Sequence, residues 1–200
     1  MPPANPPALC IAIVGAESTG KTTLAQALAR SLGAPGSTGE RSRSGPGLRV
    51  AWVPEVLREW CDAQGRTPRA DEQLAIALEQ HRRVRIAAAR HEIVVSDTTA
   101  LMTAVYSRLV FDDCTLEQPA VALHREMHFT LLTALDLPWV PDGLQRDGPH
   151  VREPVDDALR QLLHAHGLPY AVVAGRGAQR LAQAHAAVQA AATAAMRRGA

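Results

Sequence analysis

No apolar run in this chain approaches the roughly 20 residues that a membrane-spanning helix needs, so no membrane association is expected. Cysteine is sparse. Cys10, Cys61 and Cys114 are an odd number without metal-ligand spacing, which reads as reduced thiols in a cytoplasmic protein. Charge of either sign is not in excess: the formal net charge is +1. No broad basic surface is therefore implied, and nucleic acid is not expected as the main partner. Lysine is almost missing. Of 21 Lys and Arg residues only Lys21 is lysine. Aromatics make up 4% of the chain.

That one lysine stands in the stretch on which the chain is organised, Gly15-Ala16-Glu17-Ser18-Thr19-Gly20-Lys21-Thr22. It fits G-x-x-x-x-G-K-[ST], the phosphate-binding P-loop. Ile11 to Val14 lead into it as a buried strand. Thr23 to Leu32 follow as a helix, with Leu24, Leu28 and Leu32 at helical spacing. Glycines let backbone N–H groups turn inward, and the helix N-terminus adds its positive dipole end. Gly15, Glu17, Ser18, Thr19, Gly20, Lys21, Thr22 and Thr23 are thus the expected nucleotide cradle. Lys21 is expected on the terminal phosphates and Thr22 on Mg²⁺, which makes ATP and Mg²⁺ the expected cofactors. A chain that uses arginine everywhere else keeps lysine where a compact, rotatable ammonium is wanted.

A second constellation is Ile93-Val94-Val95-Ser96-Asp97, an apolar strand that ends in an acid. Such a strand puts its carboxylate at the carboxyl edge of the sheet, where open α/β sheets bind ligands. Asp97 is a candidate metal ligand and catalytic group. Glu55 stands just after another strand, Leu48 to Val53. It is a candidate to hold a substrate hydroxyl or take its proton, and equally an acid that suits a helix N-terminus. Arg58, Trp139 and Asp142 are further candidates for the substrate side. Residues 138–154 hold four prolines and two glycines. That is loop chemistry at unusual length, read as a lid whose Arg146 and Arg152 neutralise charge on a transferring phosphoryl group.

The remaining pattern alternates strands and helices, which predicts an α/β protein with a parallel sheet covered on both faces. A long helix is expected from Pro68 to about Arg90, with Leu74, Leu78 and Ile86 as its apolar side. Residues 111–122 have weak periodicity. Further strands are expected at Phe129 to Leu132 and Tyr170 to Val173, with helices at Val155 to Ala165 and Gln179 to Met196. Residues 1–8, with four prolines, are expected as a disordered leader before one domain at 9–200, and 33–47 as a flexible insert in it. His124 and His128 have helical metal spacing, but no third ligand is evident, so zinc is not expected.

GAESTGKTTL, WVPEVLREW, VVSDTTALMTAVYS, LLTALDLPWVPDGL and the late GLPYAVVAG…R resemble the NadR-type ribosylnicotinamide kinase domain, and the resemblance covers nearly the whole chain. It implies a P-loop NTPase fold with five parallel strands in the order 2-3-1-4-5. It also implies transfer of phosphate from ATP to the 5′-hydroxyl of nicotinamide riboside, giving nicotinamide mononucleotide. Lys21 and Thr22 would carry the phosphates and Mg²⁺, Asp97 the metal or the hydroxyl, and Arg146 and Arg152 the lid charge. In the family this domain is often fused to an adenylyltransferase; this sequence shows no such segment, so a stand-alone version is expected. The sequence departs from the family pattern in three ways. Thr99 stands where a second Asp is usual, and Gln145 where an Arg is usual. Trp52, Trp60 and Trp139 offer no clear pair to stack a pyridine. The expected partner is a nucleoside-like small molecule. The other functional class open to this sequence is a P-loop ATP-binding regulator without a small-molecule acceptor, or a kinase for another nucleoside.

Overall fold

The computed structural model describes residues 7–34, 48–141 and 148–198. The expected flexible insert falls mostly outside these residues, as does most of the leader.

Five strands lie side by side in the order β2-β3-β1-β4-β5, all parallel, as the resemblance implied. They are β1 (Leu9–Val14), β2 (Val50–Val53), β3 (Ile93–Asp97), β4 (Phe129–Thr133) and β5 (Tyr170–Val173). β1 is the centre, and its alternation divides the core. Cys10, Ala12 and Val14 face one layer, in which α3 (Gln73–Ala88), α4 (Ala100–Phe111), α5 (Glu117–His124) and α6 (Arg152–Ala165) pack. Ile11 and Ile13 face the other, formed by α1 (Lys21–Gly33) and α7 (Gly177–Arg198). Burial on both faces is why β1 is apolar without interruption. Leu24, Leu28 and Leu32 of α1 are buried as their spacing predicted. No described helix is long and apolar enough to cross a membrane.

Two expectations need correction, and one stretch without an expected element gains one. The apolar side of α3 is not Leu74, Leu78 and Ile86, which are exposed; Ile76, Ala77, Gln80 and Val84 are buried instead. A polar residue selects that face. Gln80 Oε1 accepts Val56 N–H at 2.8 Å, and its Nε2 donates to Ser96 Oγ at 3.1 Å and Pro54 O at 3.3 Å. Three hydrogen bonds in the core outweigh the exposure of a few methyl groups. Next, the weakly periodic 111–122 overlaps a helix, α5, with Ala120, Val121 and His124 inward. Last, the loop expected through residue 154 ends sooner: Pro149–Val151 form a 3₁₀ turn and Arg152 opens α6.

His124 does not lie with His128. It is 2% exposed, and its ring joins Thr99 Oγ1 (2.9 Å) to Thr130 Oγ1 (2.8 Å), tying α4 to β4. His128 instead accepts the Cys10 N–H at its Nδ1. Burial drives the His124 pKa down to about 4 from 6.5. The ring is neutral when folded, whereas the unfolded chain takes up a proton near 6.5. Its contribution to stability is therefore complete above pH 6.5 and is lost as pH falls towards 4, by up to about 3 kcal/mol. Denaturant titrations between pH 7.5 and 4.5 should show this slope. In His124→Gln the slope should be flatter, and an equal slope would place its source elsewhere.

Candidate active site

The site is assembled by register. β1 and β3 pair with Ile13 opposite Asp97, so the end of β3 lies beside the start of the glycine loop. β2 and β3 pair with Val53 opposite Ser96, which carries Pro54 and Glu55 to the same edge. Three segments far apart in sequence thus deliver Lys21, Thr22, Asp97, Glu55 and Arg58 to one place. Asp97 is 1% exposed and hydrogen-bonded to Thr22. Burial pushes its pKa up, while the Thr22 hydrogen bond and the charges of Lys21 and Arg58 pull it back. Arg58 Nε also lies 3.8 Å from Glu55 Oε2. Thr98, next in the chain, is held at φ 70, an uncommon conformation for a β-branched residue. Its N–H donates to Ile13 O at 2.9 Å and its carbonyl accepts Ser96 Oγ at 2.7 Å.

A loop that turns its N–H groups inward must turn carbonyls outward, and a buried carbonyl needs a donor. Here the donors can be named. Val14 O meets Thr133 Oγ1 at 3.2 Å, and Ala16 O meets Thr19 Oγ1 at 2.7 Å. The two threonine hydroxyls are themselves 2.7 Å apart. Two hydroxyl protons thus serve three contacts, and Lys21 Nζ, 2.9 Å from Ala16 O, makes up the shortfall. Thr19 O is taken by Arg180 of α7, and Gly20 O by Leu24 N–H as α1 begins. Gly20 caps α1 at φ 76, a left-handed conformation that suits glycine. Lys21, Thr22 and Thr23 are the first residues of α1, so their N–H groups stand at the positive end of its dipole.

Ser18 Oγ donates to Val140 O at 2.8 Å, which brings the segment around Trp139 against the loop. Trp139 Nε1 is buried with no acceptor among the described residues. Glu17 is buried as well. Arg152 is also buried, and its Nη2 donates to Leu137 O at 2.9 Å. It is a fixed cation at the head of α6, not one on a free loop. Thr99, at the departure from the family pattern, is buried and bonded to His124. Asp142, Gln145 and Arg146 lie outside the described residues.

The residues fit a divalent cation. Asp97 Oδ1 is buried and finds no hydrogen-bond donor among the described residues, while the Thr22 hydroxyl stands against the same carboxylate. An acid and a hydroxyl with oxygen lone pairs to spare suit a hard ion such as Mg²⁺.

Arg180, Asp136, Thr133, Gln80 and Ser96 support the site and were not singled out in the sequence. Ser96 enters only as part of the strand that ends at Asp97, and Arg180 and Gln80 are ordinary polar residues of helices. Only Thr133 and Asp136, at and just beyond the end of β4, carried a hint, because strand ends are where ligands gather.

A family model described as an AAA domain matches residues 10–180. No curated protein matches the chain by sequence. Among solved structures, a NadR protein in complex with NAD and AMP-PNP is similar at TM-score 0.68 and 23% identity, over 91% of this chain and 49% of that one. A NadR protein in complex with NR gives 0.65 and 23%, with the same coverage. Thymidylate kinase from Ehrlichia chaffeensis gives 0.61 and 14%, over 92% of this chain and 98% of its own. The chain therefore spans about half the length of the NadR chains.

Proposed function

This chain belongs to the AAA-domain family, and from that premise we propose that it is an ATP-dependent kinase for a nucleoside-like small molecule. Nicotinamide riboside is the first candidate acceptor and nicotinamide mononucleotide its product. One observation carries the reading. Beside the phosphate loop, Asp97 shares its surroundings with Arg58, which is itself paired to Glu55. Slow hydrolysis or nucleotide sensing requires no such acid-and-cation group, whereas transfer to a hydroxyl requires groups that hold the acceptor. The ligands named for the NadR structures, NR, NAD and AMP-PNP, support the same reading.

In this scheme N–H groups from Gly15 to Thr23 bind the phosphates of ATP, and Lys21 leaves Ala16 O for the β- and γ-phosphates. Thr22 and Asp97 would hold Mg²⁺, which when bound neutralises charge on the phosphates. Glu55 orients the acceptor hydroxyl and takes its proton as the new P–O bond forms and the bond to the ADP oxygen breaks. Arg58 holds Glu55 in place. Trp139 and Asp142 would bound the acceptor, and Arg146 and Arg152 offset charge on the transferring group.

A coupled ADP-release assay across nucleosides, nicotinamide riboside first, tests this. ADP release should depend on acceptor, and Glu55→Gln should lower turnover by roughly 10²-fold or more with ATP affinity retained. ADP release indifferent to every acceptor would replace the proposal with a regulatory ATPase.

A further inference from the structure

Arg180 is a buried guanidinium that none of the steps above uses. It is 4% exposed, lies on the last described helix, and reaches back to the first glycine loop. One Nη donates to Thr19 O and the other to Asp136 Oδ1. Asp136 follows β4, and its second oxygen accepts the Gly175 N–H beyond β5. Thr19 itself is fully buried. Among the described residues no other donor serves its carbonyl, and a peptide flip at Thr19 would turn a loop N–H away from the phosphates.

We propose that Arg180 is a positioning residue for nucleotide binding: it locks the Thr19 peptide with its carbonyl outward, and Asp136 holds the guanidinium in the plane that this requires. The inference rests on the glycine loop being the nucleotide site. The chemistry favours arginine specifically. The planar fork serves two acceptors in different directions at once, and a lysine ammonium on a flexible stem serves them less well. The charge also matters. A cation bonded to the outward carbonyl polarises that peptide, so its inward N–H becomes a better donor to phosphate. The Asp136 carboxylate supplies the balancing charge that a buried guanidinium needs.

The test has two arms. In the first, amide hydrogen exchange of residues 18–22 is followed without nucleotide in the full chain, in wild type, Arg180→Lys and Arg180→Ala. Exchange should quicken at Thr19 to Thr22 in both variants and stay unchanged in β1 and β4. A general loosening of the core would mean that Arg180 is only a structural residue. In the second arm, ATP affinity is measured by calorimetry. Arg180→Ala should weaken it by roughly 10- to 100-fold, the cost of one charged hydrogen bond, and KM for the acceptor should not move. Should Arg180→Ala fail to fold, Arg180→Lys and Asp136→Asn carry the same comparison with the buried volume kept. Unchanged exchange and unchanged ATP affinity overturn the proposal and leave the kinase reading standing. Absence of ATP binding in the wild type would defeat the nucleotide reading, and the exchange arm would still decide whether Arg180 orders the loop.

Discussion

Lys21→Ala should lose roughly 10³-fold in turnover, or about 4 kcal/mol of transition-state stabilisation, while its melting temperature stays near that of the wild type. Both halves follow from where the ammonium rests. In the structure Lys21 Nζ donates to Ala16 O, and its charge lies near Asp97. Thr19 Oγ1 also stands 2.7 Å from that carbonyl, so in the variant Ala16 O keeps a donor and only the contact between the Thr19 and Thr133 hydroxyls goes without a proton. The fold thus gains little from the side chain. Turnover depends on it heavily, because charge that moves to the bridging and terminal oxygens needs a cation in place before the bond breaks. Lys21→Arg should fail almost as badly, since a planar guanidinium cannot take the ammonium's position in so tight a loop. Single-turnover phosphoryl transfer, beside a thermal melt of each variant, measures both. If either variant keeps near-normal turnover and ATP affinity, the glycine loop is not the catalytic centre.

Gly15→Ala should be the most damaging single methyl group in the chain. A Cβ there would fall 2.1 Å from Thr133 Oγ1 and 3.2 Å from Thr19 Oγ1, on a residue whose φ is +152. The hydroxyls it would strike are the pair that holds the loop's carbonyls, so steric strain and lost hydrogen bonds coincide. A destabilisation of about 3 kcal/mol or more is expected, with loss of ATP binding. Gly65→Ala is the control. Its φ is +66, yet nothing lies within 4 Å of the added carbon. It should cost only the left-handed conformation, about 1–2 kcal/mol. Urea unfolding of the two variants compares them. Equal losses would mean that the close approach at Gly15 has no consequence.

The glycine loop, the strand before it and Asp97 were legible in the sequence because their signals are local. Glycine spacing, an apolar run and a terminal acid lie within a few residues of one another. The placement of Glu55 was legible for the same reason, as the acid just past a strand. Arg180 was not. Its partners Thr19 and Asp136 are 161 and 44 residues away, and an arginine near the end of a family stretch gives no sign of what it bonds. Only the strand order brings it to the loop. On α3 the obvious leucines misled. Its inward face contains Ala77 and Gln80, residues that a count of large apolar side chains passes over, and the bonds of Gln80 to Pro54, Val56 and Ser96 decide the matter. His124 was dismissed as a metal ligand, but its place between Thr99 and Thr130 could not be read from spacing, because both partners lie outside its helix. Asp142, Gln145 and Arg146, which the resemblance singled out, fall outside the described residues.

The central place of β1 bears on how the protein is made. Its two neighbours, β3 and β4, come more than 80 residues later in the chain. A nascent chain leaving the ribosome therefore holds a bare apolar strand, Leu9–Val14, throughout the synthesis of α1, β2, α2 (Val56–Gln64) and α3. The glycine loop cannot take its working shape in that interval, since Thr133 and Arg180 have yet to emerge. The hydrogen bonds that hold the loop are complete only after α7 docks. Until then, the unpaired edges of β1 and its Ala12 and Val14 side, whose partners are later elements, are open to wrong pairing and to chaperones.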